Sequence, residues 1–234
     1  MTTPFTIVFA LYPRITQLDF TGPHEVLWRL PQARCVLASA TGGRIEADGG
    51  LAFDTVPLST LPGCDLLLVP GGYGCVTALE DAAFLAQLRR LAADAGHVAS
   101  VCTGSLLLGA AGLLQGRRSA CHWAWRTLLA RFPEVTPDVG RIVRDGRFWS
   151  GGGVTAGIDL ALAIAAELVD ATFAQSVQLA LEYAPAPPFD AGRPEAAPPA
   201  VLAQVHARMQ AMGAARAAAV QRAAERLGSD GVAG

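Results

Sequence analysis

The 234-residue sequence has little charge, and the charge that it has is nearly balanced. Charged residues make up 16% of the chain, and the formal net charge at pH 7 is -2. No basic stripe of the kind that binds a phosphate backbone is present, so nucleic acid is not an expected partner. No run approaches the ~18 uninterrupted apolar residues that a membrane helix needs. The N-terminus lacks the basic segment of a signal peptide, so we expect a cytoplasmic protein without membrane contact.

Paired cysteine motifs are also lacking. The five cysteines are irregularly spaced and include no C-x-x-C pair: Cys35, Cys64, Cys75, Cys102 and Cys121. This pattern argues against a disulfide framework and against a zinc site, so no metal is expected. A free thiol is most often a small buried hydrophobe, and a chemical role for any of these depends on its surroundings.

Hydrophobic residues make up 52% of the chain, and they fall into short runs that alternate with helical segments. Continuously apolar runs predict strands buried on both faces, and their alternation with helices predicts a parallel sheet covered on both sides. We therefore predict an α/β fold with a doubly wound, mostly parallel, flavodoxin-like sheet sandwiched by helices. The predicted strands cover 5–11, 35–40, 65–70 and 97–101, with short strands near 45 and 51–56 and a hairpin over 142–149. The first predicted helix is capped by Thr21 or Gly22, has Pro23 in its first turn and runs through Leu30. The other predicted helices cover 82–95, 106–114, 123–132 and 155–169.

The composition changes after about residue 190. The segment 183–188 reads YAPAPP and cannot continue a helix, whereas 200–227 is rich in alanine and favours one. The apolar face of that helix is weak, which leaves open docking on the domain, packing across a dimer, or partial mobility. We predict an α/β domain over 1–190, and over 191–234 a loop and a C-terminal helical tail that belongs to the same unit or to a dimer.

Cys102 lies where a buried strand runs straight into a helix, in the sequence SVCTGS. Unpaired amides and the partial positive charge of a helix N-terminus favour a thiolate there. The sharp turn lifts the side chain out of the sheet, as in the nucleophile elbow of hydrolases. A packed structural cysteine fits the local pattern equally well, so catalysis requires a pocket and a proton donor nearby.

Backbone amides are the expected components of that pocket. Gly71 and Gly72 follow a strand and leave amides free to face a developing anion, and the amide of Thr103 is a second candidate donor. A tight turn that requires positive φ explains the glycines without any catalytic role.

The candidate proton donors are Asp19 and His122. Asp19 lies between Leu18 and Phe20, where desolvation raises a carboxyl pKa and keeps the group protonated. It could instead cap a helix that begins near Thr21 or Gly22. His122, between Cys121 and Trp123, fits a packed core position better than a chemical role.

Together these segments resemble the PfpI superfamily, which has a class I glutamine-amidotransferase-like fold, and within it the isocyanide hydratase family. The similarity extends over nearly the whole chain. It is most specific at the segments QLDFTGPHEVL (17–27), PGG (70–72), VCTGS (101–105), 151–159 and LEYAPAPP (181–188). The proline-glycine and cysteine motifs indicate the superfamily, and the other segments narrow the match.

The resemblance implies a homodimeric enzyme that adds water to an isocyanide to give an N-substituted formamide, without metal or organic cofactor. It implies that Cys102 is the nucleophile that forms a covalent thioimidate and that Asp19 is its acidic partner. Many superfamily members have glutamate at that position, whereas the hydratases, like this chain, have aspartate. The amides of Gly72 and Thr103 would surround the reacting centre. The expected pocket residues are Trp123, Gly152 and Thr155, with Ile158 as a further candidate.

Three other functions fit the same resemblance. One is another activity of the superfamily, such as glyoxalase-like hydration or peptidase-like hydrolysis, which a histidine within reach of Cys102 would favour. Another is a regulatory role, because similar domains precede AraC-type DNA-binding modules. The chain after the proline-rich stretch is too short for a pair of helix-turn-helix units, and its charge does not suit DNA. The third is redox sensing through oxidation of Cys102.

Overall fold

The computed structural model describes residues 4–230, and its centre is an eight-stranded sheet. The strand order is β3-β4-β2-β1-β5-β6-β10-β9, in which only the edge strands β3 and β9 run antiparallel to their neighbours. A separate pair, β7 and β8, is parallel. The bounds are β1 Phe5–Ala10, β2 Ala33–Ser39, β3 Gly43–Glu46, β4 Ala52–Pro57, β5 Leu66–Val69, β6 His97–Val101, β7 Arg118–Ser119, β8 Thr136–Pro137, β9 Ile142–Asp145 and β10 Phe148–Gly151.

Helices flank this sheet. Helix α1 packs against α5 and α5 against α6, whereas α4 packs against α3 and α7. The bounds are α1 Leu18–Leu27, α2 Cys75–Ala78, α3 Ala82–Asp94, α4 Gly104–Ala110, α5 Ala156–Leu168, α6 Ala171–Ala180 and α7 Pro199–Asp230. The predicted doubly wound, flavodoxin-like α/β sandwich with a C-terminal helix is confirmed. The buried residues of strands β1, β5 and β6 are apolar except for Ser100, because helices cover the sheet on both sides.

Helix α1 begins earlier than the sequence predicted. It starts at Leu18 rather than near Thr21 or Gly22, and Pro23 lies inside it. The amide of Asp19 donates to the Thr16 carbonyl at 3.0 Å, so the first turn forms upstream of the proline. Proline interrupts only the bond that its missing amide would have made. Asp19 therefore lies in the first turn of the helix rather than before it.

Two further segments differ from the prediction. Instead of an α-helix over 123–132, the chain forms a 3-10 helix over Arg126–Arg131. Helix α6 was not predicted, although Asp170 marks its start by accepting a hydrogen bond from the Phe173 amide at 2.7 Å. It was missed because only a short break separates α6 from the end of α5.

The C-terminal helix α7 packs on the domain of its own chain. Ala219, Val220 and Ala223 on this helix are fully or almost fully buried. At its far end Arg222 and Arg226 both form ion pairs with Glu80. Docking on the domain is one of the arrangements that the sequence left open, and the helix makes these contacts within its own chain.

Candidate active site

Four neighbouring strands bring the predicted site residues to one edge of the sheet. Asp19 follows β1, Gly71 and Gly72 follow β5, Cys102 follows β6, and Gly152 follows β10. These strands are adjacent and parallel in the order β1-β5-β6-β10, so their carboxyl ends meet at the same edge. Ligand sites of open α/β sheets lie at this edge, where the strand order reverses.

The backbone of Cys102 is held in an unusual conformation. Its φ is 59°, in the left-handed region that non-glycine residues rarely adopt. Its amide donates to the carbonyls of Gly151 at 3.1 Å and Gly152 at 2.8 Å, and its carbonyl accepts from the Ser105 hydroxyl at 3.1 Å. These three hydrogen bonds hold the Cys102 backbone in its strained conformation. Backbone strain held in this way is common at functional sites. The chain thus makes the sharp turn that was predicted at Cys102, and the role of Cys102 as a nucleophile stays a prediction.

Asp19 is completely buried beside Cys102. Its Oδ2 accepts a hydrogen bond from the Gly71 amide at 2.9 Å. Its Oδ1 makes no conventional hydrogen bond within residues 4–230, and the Cys102 thiol is the side chain that interacts with the carboxylate. Burial raises the pKa of Asp19 to about 7, more than the Gly71 amide and the Cys102 thiol lower it. The carboxyl group is therefore able to gain and lose a proton near neutral pH.

The pKa of the Cys102 thiol is raised well above its usual range, contrary to the expected thiolate. Burial is the largest cause, followed by electrostatic repulsion from the Asp19 carboxylate and then from Cys121. The Thr103 amide and the Arg216 guanidinium lower this pKa, but by less. The Thr103 amide at the N-terminus of the short helix α4 favours the thiolate, but it does not outweigh burial. The resting pair thus holds a proton on or between Cys102 and Asp19.

Gly71 and Gly72 bring the backbone close to both reacting side chains. A Cβ on Gly71 would lie 2.5 Å from the Thr103 amide nitrogen and 2.9 Å from Asp19 Oδ2. Gly72 has φ of 144°, and its amide donates to Thr103 Oγ1 at 3.0 Å. That amide is not free to bind an anion in this structure, so its role as a donor remains a prediction. The Thr103 amide faces the Cys102 sulfur, where it lowers the thiol pKa.

The predicted pocket residues Trp123, Gly152 and Thr155 all line one cavity of about 780 Å³. Cys102 does not line it, but its amide donates to Gly152, which forms part of the wall. Ile158 lines a separate cavity of about 350 Å³, together with residues of α1. The structure thus brings three of the four pocket candidates together next to the Cys102 turn.

His122 lies on the wall of the larger cavity and is held by the backbone. Its Nδ1 accepts a hydrogen bond from the Ala124 amide at 3.2 Å. Burial lowers its pKa to about 4, and the positive charge of Arg216 acts in the same direction. The ring is therefore neutral at physiological pH.

One buried residue beside the site was not predicted. Arg216 of α7 is 3% exposed, and its Nη2 donates to the Gly72 carbonyl at 3.2 Å. The sequence contains no signal for it, because it is one of several arginines spaced along an alanine-rich helix. Only the docking of α7 brings it to the Gly71–Gly72 turn.

Neither a metal site nor a membrane helix is found within the described residues. No group of three or more His, Cys, Asp or Glu side chains in 4–230 could hold a metal ion. Among the helices of the same range, none combines the length and apolar character that crossing a bilayer requires.

Comparison with known proteins decides the family. The model of the DJ-1/PfpI family matches residues 6–167, which include the turns that carry Asp19, Gly71, Cys102 and Gly152. The chain belongs to the DJ-1/PfpI family. The predicted superfamily is thereby confirmed.

Individual relatives show how far the similarity extends. An isonitrile hydratase of Pseudomonas putida is 46% identical over 222 residues, which cover 94% of this chain and 97% of the relative. The crystal structure of a ThiJ/PfpI family protein from Pseudomonas syringae is 38% identical, with a TM-score of 0.86 over 95% of this chain and 91% of that one. An HTH-type transcriptional regulator of Pseudomonas aeruginosa is 30% identical over 68% of this chain but only 49% of its own length.

Proposed function

We propose that this DJ-1/PfpI family protein is an isocyanide hydratase, a lyase that adds water to R–N≡C and releases an N-substituted formamide. The observation that carries the proposal is the pairing of Cys102 with a buried aspartate whose pKa lies near neutrality. The similarity to an isonitrile hydratase, isonitrile being another name for isocyanide, over almost the full length of both chains points to the same reaction.

In the first half of the proposed reaction, the sulfur of Cys102 attacks the isocyanide carbon. The Cys102 proton passes to the Asp19 carboxylate as the sulfur–carbon bond forms and the carbon–nitrogen triple bond becomes a double bond. Asp19 then protonates the same carbon and gives the covalent thioimidate R–N=CH–S–Cys102. A carboxyl with a pKa of about 7 suits both proton transfers, because it is neither a strong acid nor a strong base at neutral pH.

In the second half, water adds to the thioimidate carbon. Asp19 accepts a proton from the water and passes it to the nitrogen, and the hydroxyl oxygen stays on the carbon. The carbon–sulfur bond then breaks, the hydroxyl loses its proton as the carbonyl forms, and the sulfur recovers a proton. The Thr103 amide, which lowers the thiol pKa, stabilises the sulfur anion in both halves.

The cavity beside Gly152 is the proposed entrance for the isocyanide. Its volume of about 780 Å³ is within the range of small-molecule sites. Trp123 and Thr155 line it, so an apolar ring and a hydroxyl are available to the R group.

The alternative functions have less support from the geometry. A glyoxalase-like or peptidase-like activity would use His122 as the base, but its Nδ1 already accepts a backbone hydrogen bond and burial lowers its pKa to about 4. A regulatory role would require helix-turn-helix units, whereas 199–230 form one continuous helix packed on the domain. Oxidation of Cys102 as the main role, the expected homodimer and the cytoplasmic location stay predictions.

The test is formamide production from a simple alkyl isocyanide under reducing conditions. We expect turnover by the wild-type protein and its loss in Cys102→Ala. The matched control is Cys35→Ala, which removes a thiol from strand β2 and should leave turnover unchanged. Equal turnover by Cys102→Ala and wild type would refute the nucleophile. Absence of turnover by reduced wild type would refute the hydratase function and direct the search to 2-oxoaldehyde substrates.

A further inference from the structure

A buried arginine without an acidic partner lies beside the proposed site. Arg216 is 3% exposed, and none of the ion pairs among the described residues includes it. Its guanidinium carbon is 4.3 Å from the centre of the Trp125 ring, and its Nη2 contacts the Gly72 carbonyl. Its Nε has no hydrogen-bond partner within 4–230. A buried charge in this state is costly unless a negative charge compensates it.

Within the Cys102–Asp19 pair, Cys102 is the group that the positive charge of Arg216 influences. Arg216 lowers the pKa of Cys102, and it acts in the same direction on Tyr12, Cys75 and Cys121. Tyr12 donates its hydroxyl to the Pro70 carbonyl, and Cys75 donates to the Thr103 carbonyl, so both have protein partners as neutral groups. Cys121 and His122 complete the titratable groups that this guanidinium influences.

We propose that Arg216 is a positioning residue of this active site: it fixes the Gly71–Gly72 turn through the Gly72 carbonyl and supplies the positive charge that balances the anionic Cys102–Asp19 pair. The inference rests on the proposed function for the identity of the nucleophile. It assigns the C-terminal helix a role in positioning the site, which was not expected from the sequence.

The connection between α7 and the site runs through the backbone. The Gly72 carbonyl accepts from Arg216, and the Gly72 amide donates to the Thr103 hydroxyl. The neighbouring Gly71 amide donates to Asp19. Loss of the guanidinium thus removes a charge and also releases the turn that holds both Thr103 and Asp19.

Other contacts hold α7 in place without Arg216. Arg222 and Arg226 bind Glu80, and Val220 is fully buried against the domain. A substitution at 216 should therefore change the site more than it changes the docking of the helix.

The experiment measures the rate of Cys102 alkylation by iodoacetamide as a function of pH, with mass spectrometry to identify the modified residue. Arg216→Met keeps the approximate size and removes the charge. We expect its alkylation at pH 7 to be severalfold slower than in wild type, because loss of the guanidinium charge raises the pKa of the Cys102 thiol. Arg216→Lys should restore most of the rate, since it retains the charge. The matched control is Arg208→Met, which removes an exposed arginine of the same helix and should leave the profile unchanged.

A folded Arg216→Met with the wild-type alkylation profile would overturn the proposal. If Arg216→Met does not fold, the comparison uses Arg216→Gln and Arg216→Lys, and equal profiles for these two would also overturn it. Alkylation does not require turnover, so a change in the profile supports the assignment even if the wild type hydrates no isocyanide. Failure of the proposed function and failure of this inference are therefore separate results.

Discussion

Substitution of Asp19 by asparagine tests the raised pKa on which the proposed chemistry depends. The carboxyl is completely buried, and its Oδ2 accepts from the Gly71 amide at 2.9 Å. Asparagine has nearly the same shape, and its carbonyl oxygen retains that hydrogen bond. The variant therefore removes the titration and changes the packing little.

The size of the expected change in the free energy of unfolding follows from the difference between the pKa of Asp19 in the folded chain and in the unfolded chain. Burial raises it from an ordinary value of 3.8 to about 7. The folded state keeps the proton to higher pH than the unfolded state, so the wild type loses free energy of unfolding as the pH rises from about 4 to about 7. Three pH units at about 1.4 kcal/mol each give a loss on the order of 4 kcal/mol.

The assay is urea unfolding at a fixed protein concentration, at several pH values between 4 and 8. The free energy of unfolding of Asp19→Asn minus that of wild type should increase with pH by roughly 4 kcal/mol over this range. The control is Asp54→Asn, which removes the charge of an exposed aspartate on β4. Its free energy of unfolding minus that of wild type, measured over the same pH range, gives the general effect of removing one negative charge.

Two results would contradict this reasoning. A difference that does not change with pH would mean that Asp19 titrates alike in the folded and unfolded chain. A difference that falls with pH would mean that the Gly71 amide and the Cys102 thiol lower the pKa more than burial raises it. In either case Asp19 would be a permanent anion at neutral pH and could not serve as the proton donor.

Two further predictions concern packing around the site. Gly71→Ala should abolish or strongly reduce turnover and lower the free energy of unfolding by about 1–3 kcal/mol, because its Cβ would lie 2.5 Å from the Thr103 amide nitrogen. The control is Gly63→Ala, because a Cβ at Gly63 has nothing within 4 Å. Equal activity of the two variants would contradict the close approach of Gly71 to Thr103. Val220→Ala should lower the free energy of unfolding by about 2 kcal/mol, since the side chain is fully buried between α7 and the domain. Thermal melting detects this loss, and an unchanged melting temperature would show that α7 contributes little to stability.

The sequence by itself predicted the architecture because the relevant signals are local. Apolar runs of strand length marked β1, β5 and β6, and the position of Cys102 directly after β6 was read from its neighbours alone. The same locality explains the failures. A proline near the start of α1 was taken as the beginning of the helix, although upstream hydrogen bonds begin it at Leu18.

The tertiary structure alone decided the electrostatics of the site. Burial is a property of the folded chain, and it raises the pKa of Cys102 where the helix N-terminus had suggested a thiolate. The tertiary structure also decided which backbone amides are free to bind an anion. The Gly72 amide is not free, because it donates to the Thr103 hydroxyl. Arg216 lies more than a hundred residues from Cys102 in the chain and reaches the site only because α7 docks on the domain. Contacts between residues so distant in sequence leave no local pattern, and that is the physical reason why the sequence did not reveal them.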